Sequence, residues 1–230
     1  MVLEEHPYGR EMLMKLLDAD HIPMAIIEEC SKIAIKEKHK FLDRIKGHRI
    51  APTFTELLKE MNIPRYKVAH HNRKQCRLLL EKLKPDLGVL GGTRIIKKQI
   101  LEIPPDGMLN SHPGLLPEVR GSASPAWSIY YDIPIGSTCH FIDTNIDTGD
   151  IVGRRLIPVH RGDKYEKLCW LTLVEAGNLM TEAVTAWKKS VIVRKPQGKS
   201  DLPTLRVPSN EIMTEVRNKL REQTYKHYVD

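Results

Sequence analysis

Short apolar runs alternate with segments of helical period along the first 112 residues, and few architectures accept that pattern. A brief apolar start at 1–4 precedes a helix over 10–21, where Met12, Leu13, Leu16 and Leu17 recur at helical spacing. Residues 22–29 form a continuous apolar run of strand length, and 33–45 read as a charged helix. A helix over 53–63, opened by Thr53 or Thr55, leads to a strand at 66–71. A further helix over 76–85 stops at Pro85, and a strand of buried type follows at 87–92. Strands alternating with short helices build βαβ units, so the expected fold is α/β, a mostly parallel twisted sheet flanked by helices.

The character changes from Ile103. Prolines at 104, 105, 113, 117 and 125 mark a long loop region that holds one short strand, 107–112. Residues 136–142 and 149–159 read as a strand pair joined by a polar loop, and Lys167–Lys189 as a long helix. A loop with Pro196, Pro203 and Pro208 then leads to a helix from about Ser209, with Ile212, Val216 and Leu220 on one face. The expected division is a main unit at 1–189, then a linker and a docked C-terminal helix at 190–230. A long irregular stretch inside a compact unit is more often functional than idle.

Composition narrows the function classes. The apolar set is 41%, and 14 glycines bring it to about 47%, which is ordinary for a globular chain and excludes disordered or fibrous classes. No run approaches the roughly 18 apolar residues of a membrane span, and the start has no basic stretch followed by an apolar one, so neither a membrane segment nor a signal peptide is expected. Cys30, Cys76, Cys139 and Cys169 are scattered and form no CxxC, which points to a reducing cytoplasm. The net charge of +7 is concentrated late: residues 188–230 hold ten Lys/Arg against five acids, +5 of the total. Such an excess is usually a solvated helix face, so RNA contact is not favoured.

Chemistry gathers in two places. Asn110 and His112 lie on one face of the strand that Pro113 ends, with Ser111 on the other, at the carboxyl edge where open α/β sheets bind ligands. An imidazole carries protons near neutrality, and an amide N–H can hold a developing oxyanion. The second place is His140, Asp143 and Asp147, where a carboxylate can orient an imidazole or take a proton. Asp143-Thr144-Asn145 also reads as a plain turn, and the spacing matches no standard metal site, so no metal is expected.

Asn110-Ser111-His112-Pro113-Gly114-Leu115-Leu116-Pro117, then Arg120-Gly121, then Gly136 to Ile151 with Thr138, His140 and Asp147, resembles the catalytic core of the folate-dependent formyltransferases. That family includes glycinamide ribonucleotide transformylase, methionyl-tRNA formyltransferase and sugar N-formyltransferases. Its pattern is Asn-x-His-x-x-Leu-Leu-Pro, then Gly-x-Thr-x-His, then Asp seven residues after that His. All three spacings hold in this chain. The match is densest from Pro85 to Val159.

The resemblance implies a Rossmann-like formyltransferase fold and formyl transfer from 10-formyltetrahydrofolate to a primary amine, such as an amino sugar or aminoacyl-tRNA. It implies Asn110, His112 and Asp147 as the catalytic trio, with His140, Thr138 and Gly121 in support. It places the folate against Leu90, Gly91, Gly92, Arg94, Ile95 and Ile96 and against Ile142 and Asp143. A glycinamide ribonucleotide acceptor fits less well, because the place of the family's Gly/Ser-rich phosphate loop holds Glu4, Glu5 and Glu11, offset in part by Arg10. The RNA-binding domain of the tRNA enzymes is replaced by about forty residues ending in one helix. The alternatives are a 10-formyltetrahydrofolate hydrolase, with water in place of the amine, and a non-catalytic RNA- or nucleotide-binding protein on the same fold. The oligomeric state is not legible.

Overall fold

A computed structural model describes residues 1–230. Three strands, β1 (Val2–Leu3), β2 (Ile26–Glu29) and β3 (Arg65–Val68), pair in parallel in the order β1-β2-β3. Four more, β4 (Gly88–Leu90), β5 (Met108–His112), β6 (Gly136–Phe141) and β7 (Ile151–Leu156), pair in sequence order. β4 runs parallel to β5, while β6 and β7 are antiparallel additions. The two groups join at β1 and β4, where Gly91 N–H donates to the Met1 carbonyl (2.9 Å) and Leu3 N–H to the Gly92 carbonyl (3.0 Å).

The helices follow from local chemistry. α1 (Pro7–Asp18) starts three residues before the expected position, because Pro7 suits the first turn and the His6 ring accepts the Tyr8 N–H. α2 (Lys32–Arg44) is capped by Ser31. Thr53 and Glu56 form a reciprocal capping pair at α3 (Phe54–Leu57), a helix shorter than its apolar pattern suggested. α4 (Lys74–Leu83) and α5 (Lys98–Leu101) complete the parallel half.

Two helices lie outside the sequence reading, α5 and one further on. The proline-rich stretch after β5 is not loop throughout: Ser124–Tyr130 is a helix, α6, with Pro125 in its first turn. Its side chains from Ser124 to Ile129 are buried. Prolines end helices when interior and start them when first, and sequence density alone does not tell these apart.

α7 (Tyr165–Lys188) is the spine of the larger core. Leu168, Leu173, Ala176 and Met180 are buried in one cluster with Met12 of α1, Leu109 of β5 and Phe141 of β6. α8 (Asn210–Arg221) adds Val216 and Leu220 to the same cluster. Its cations are largely spent locally, with Arg217 on Glu166 (2.7 Å) and Lys219 on Asp132 (2.8 Å). All four cysteines are free thiols, and no helix is long and apolar enough to cross a membrane.

Candidate active site

β5 carries Asn110 and His112 to its carboxyl end, and antiparallel β6 lays His140 opposite Asn110 and Thr138 opposite His112. The β6–β7 register slips between Cys139 and His140, and such a bulge turns the side chain beside it. The β6–β7 loop then returns Asp147 over both imidazoles. Asp147 Oδ2 lies 3.4 Å from His112 Nδ1, and Oδ1 lies 3.7 Å from His140 Nε2. Asp147 adopts φ 53°, a left-handed conformation that Asp tolerates better than most residues.

The proton positions follow from the bonds. His140 is fully buried, and its Nδ1–H donates to the Phe141 carbonyl (2.8 Å), leaving Nε2 to accept from Asn110 Nδ2 (3.2 Å). Burial lowers its pKa, outweighing the opposing pull of the Asp147 carboxylate, so the ring stays neutral. That bond fixes the Asn110 amide and leaves its second N–H for a reacting group.

His112 is 3% exposed. Its Nε2 lies 2.8 Å from the Val119 carbonyl and 2.9 Å from Ser124 Oγ. A carbonyl only accepts, so Nε2 carries a hydrogen, and Nδ1, facing Asp147, is the position left for proton traffic. Neither the Val119 carbonyl nor Ser124 is visible from sequence spacing, since both arrive by folding of the loop after β5. A serine opening a helix directly after that loop is the one signal that could have pointed to Ser124. Thr138 steadies that loop, accepting Leu116 N–H (3.0 Å) and donating to the Gly114 carbonyl (2.8 Å).

Gly121 N–H donates to Asp147 Oδ2 (2.9 Å), which ties the two loops together. Gly121 has φ 103°, and a Cβ there would overlap the Leu205 carbonyl. Gly121→Ala is therefore expected to lower stability by about 1–3 kcal/mol and to weaken the Asp147 contact. A melting temperature equal to that of the unsubstituted protein would contradict this.

The residues on the expected folate side are partly gathered. Leu90 and Ile96 are buried in one apolar cluster with Met108, and Ile142 packs on it. Ile95 and Ile146 are exposed. Gly91 and Gly92 follow β4 at the junction with β1. Arg94 binds the buried Glu29 at 2.5 Å. Asp143 faces its own loop, accepting from Thr148 Oγ1 (2.7 Å) and Asn145 N–H (2.9 Å).

A second cavity wall lies on the other side of Asn110. It encloses about 360 Å³ and is lined by His6, Tyr8, Phe41, Gly92 and Arg94 as well as Asn110. Glu4, Glu5 and Glu11, expected to repel a phosphate, do not line it, though Glu37 does: Glu5 binds Arg65 (3.1 Å) and the Phe54 N–H (3.1 Å), and Glu11 is buried in α1 against α7 near Gly177. What sets this wall apart is its aromatic lining, together with an α1 N-terminus whose Tyr8 N–H is already held by His6. No group of three or more His, Cys, Asp or Glu is arranged to hold a metal ion.

Comparison with known proteins agrees with this arrangement of strands and loops. The model of the family described as formyl transferase matches residues 20–184. The chain belongs to the formyl transferase family. Among curated formyltransferases it is 26% identical over 193 residues to the methionyl-tRNA formyltransferase of Desulforamulus reducens, covering 83% of this chain and 58% of that one. It thus spans little more than half of that relative's length. Two solved formyltransferases share the fold. One is glycinamide ribonucleotide transformylase 1 from Symbiobacterium toebii (TM-score 0.64, 21% identity, 86% of this chain and 92% of that one). The other is PseJ from Anoxybacillus kamchatkensis, solved with UDP-4,6-dideoxy-4-formamido-L-AltNAc and tetrahydrofolate (TM-score 0.55, 22% identity, 70% of this chain and 82% of that one).

Proposed function

We propose that this chain transfers a formyl group from 10-formyltetrahydrofolate to a primary amine, with Asn110, His112 and Asp147 as the catalytic groups. The observation that carries the reading is the Asp147 carboxylate set against His112 Nδ1 beside an Asn110 amide whose orientation His140 fixes. Acyl transfer asks for such a set: an oxyanion donor, a proton carrier and an orienting carboxylate.

The donor side suits a flat heterocycle. Leu90, Ile96 and Ile142 supply an apolar wall, and the backbone of the two loops beside it supplies polar edges. When bound, 10-formyltetrahydrofolate supplies an electrophilic formyl carbon and a nitrogen that leaves as an amine. The chain's residues do the rest. The free Asn110 N–H holds the charge that collects on the formyl oxygen as the acceptor nitrogen adds. One proton leaves the acceptor nitrogen as its bond to carbon forms, and one reaches the departing nitrogen as the old bond breaks. The His112 Nδ1–Asp147 pair carries that traffic, so the protonation state of the enzyme is restored.

The acceptor enters through the cavity lined by His6, Tyr8 and Phe41. Aromatic faces and a filled helix N-terminus suit the ring of an amino sugar better than an exposed phosphate. This is why the amino-sugar class is preferred to glycinamide ribonucleotide. The test is to follow tetrahydrofolate release from 10-formyltetrahydrofolate against a panel of amines. Release that depends on an amine supports the transferase, with amino sugars expected to be the best acceptors. Equal release without any amine supports the hydrolase. No release, alongside salt-sensitive RNA binding, would overturn the enzyme reading.

A further inference from the structure

The segment between α7 and α8 crosses both loops that carry the catalytic contacts. At the first crossing, Gln197 Nε2 donates to the carbonyls of Asp147 (3.1 Å) and Gly149 (2.6 Å). Two residues earlier, Lys195 pairs with Ile151 at the start of β7 through two backbone bonds (2.8 and 2.9 Å). Arg194 lies over the Phe141 ring, 3.5 Å from its centroid. At the second crossing, Leu205 bonds on either side of Gly121, its N–H to the Arg120 carbonyl and its carbonyl to the Ser122 N–H, both 2.9 Å. The Leu205 side chain is buried with Val119 and Trp127, and Trp127 Nε1 donates to the Arg206 carbonyl (2.8 Å). Between the crossings, the two loops meet in the bond from Gly121 N–H to Asp147 Oδ2.

We propose that residues 190–208 form a positioning strap, in which Gln197 sets the Asp147 turn and Leu205 sets the Gly121 turn, so that the carboxylate stays on His112. Asp143 ties the β6–β7 loop on either side of Asp147, through Asn145 and Thr148, but holds neither the Asp147 carbonyl nor the Gly149 carbonyl. Asp147 itself sits in a left-handed conformation, and its carbonyl and that of Gly149 take their side-chain donor from Gln197. Leu205 in turn fixes the carbonyls and amides around the glycine that reaches the carboxylate. The two anchors converge on one hydrogen bond, and neither belongs to the loops it orders. Gln197 and Leu205 are positioning residues, acting through Asp147 and Gly121. The catalytic consequence rests on the formyl-transfer reading, while the structural claim does not.

The test uses the full chain with Gln197→Glu, which keeps the shape and deletes the amide donor, and Gln197→Ala as a second variant should the carboxylate disturb folding. Val193→Ala, at an exposed strap position, serves as the control. The first readout is amide hydrogen exchange at Gly121, which needs no turnover. Gly121 is expected to exchange roughly tenfold faster in both Gln197 variants, because a net hydrogen bond of this kind is worth about one factor of ten. The second readout is formyl transfer, where kcat is expected to fall roughly tenfold with KM for the amine little changed. Gly121 exchange equal to that of the unsubstituted chain in both variants would overturn the strap. An unsubstituted chain without turnover would sink the formyl-transfer reading, and the exchange data would still decide the strap.

Discussion

His112→Ala is expected to lower kcat/KM for formyl transfer by at least about a hundredfold, as removal of a positioned acid–base group does. The ring makes three separate contacts, with the Val119 carbonyl, Ser124 Oγ and Asp147, while the Nε2 of the nearby His140 is engaged by Asn110. Asn110→Ala deletes an oxyanion donor and is expected to cost about 10²–10³ in kcat. Asp147→Asn keeps the shape and removes the charge, so it separates the carboxylate's part in proton traffic from its part in tying Gly121. A loss of at least about a hundredfold is expected there as well. Steady-state kinetics at matched folded fraction is the check. Near-normal turnover in any of the three removes that residue from the mechanism.

The second large effect is loss of stability in mild acid. His6 and His71 are buried, and each has its pKa lowered to about 4. Burial is the main cause for both. Arg44 and Lys38 add to it at His6, and the Met1 ammonium adds to it at His71, against the Ile27 carbonyl and Glu29. In the unfolded chain both titrate near the ordinary value of about 6.5. Between those values the unfolded state binds more protons, so stability falls as pH drops from about 6.5 to about 4. Each histidine accounts for roughly 3 kcal/mol over that window. Together they are comparable with the roughly 5–15 kcal/mol that holds a typical domain folded.

Glu29 adds to the loss at the acid end. Burial alone would raise its pKa, but the His71 N–H, His71, Arg94 and His70 outweigh that and lower it. Its stabilising effect is therefore complete above the ordinary carboxylate range and disappears as pH falls through its depressed value. Urea unfolding at pH 7.0, 5.5 and 4.5 measures the slope. His6→Asn, which keeps an acceptor for the Tyr8 N–H, and His71→Gln are each expected to flatten it. An unchanged slope in both variants would contradict the assignment.

Much of the architecture was legible because periodicity survives folding. The alternation of apolar runs and amphipathic helices predicts the parallel half, and the alternation within 107–112 puts Asn110 and His112 on one face before any tertiary contact is known. The pairing of His140 with Asn110 is a cross-strand register that spacing within either strand does not give. What was not legible depends on packing between segments distant in sequence. α6 was hidden by the prolines around it, and its first-turn Pro125 fits a helix only because Ser124–Ile129 pack inward. Glu5 and Glu11 looked like a barrier to phosphate, yet Arg65 and α7 hold them elsewhere. Ser124, the Val119 carbonyl and Gln197 reach the site by loop and strap contacts that no local pattern encodes. The basic excess also changes meaning, since Arg217, Lys219 and Arg194 are engaged in holding the C-terminal segment to the body.

The most direct test of the central claim is to follow the carbon. 10-Formyltetrahydrofolate labelled with ¹³C in the formyl group is incubated with the protein and an amino-sugar acceptor, and the label is located by NMR. Formyl transfer at this site predicts label in a new formamide of the acceptor, with the signal lost in His112→Ala. Label released as formate at the same rate with and without the amine, or a formamide formed equally well by His112→Ala, would contradict it.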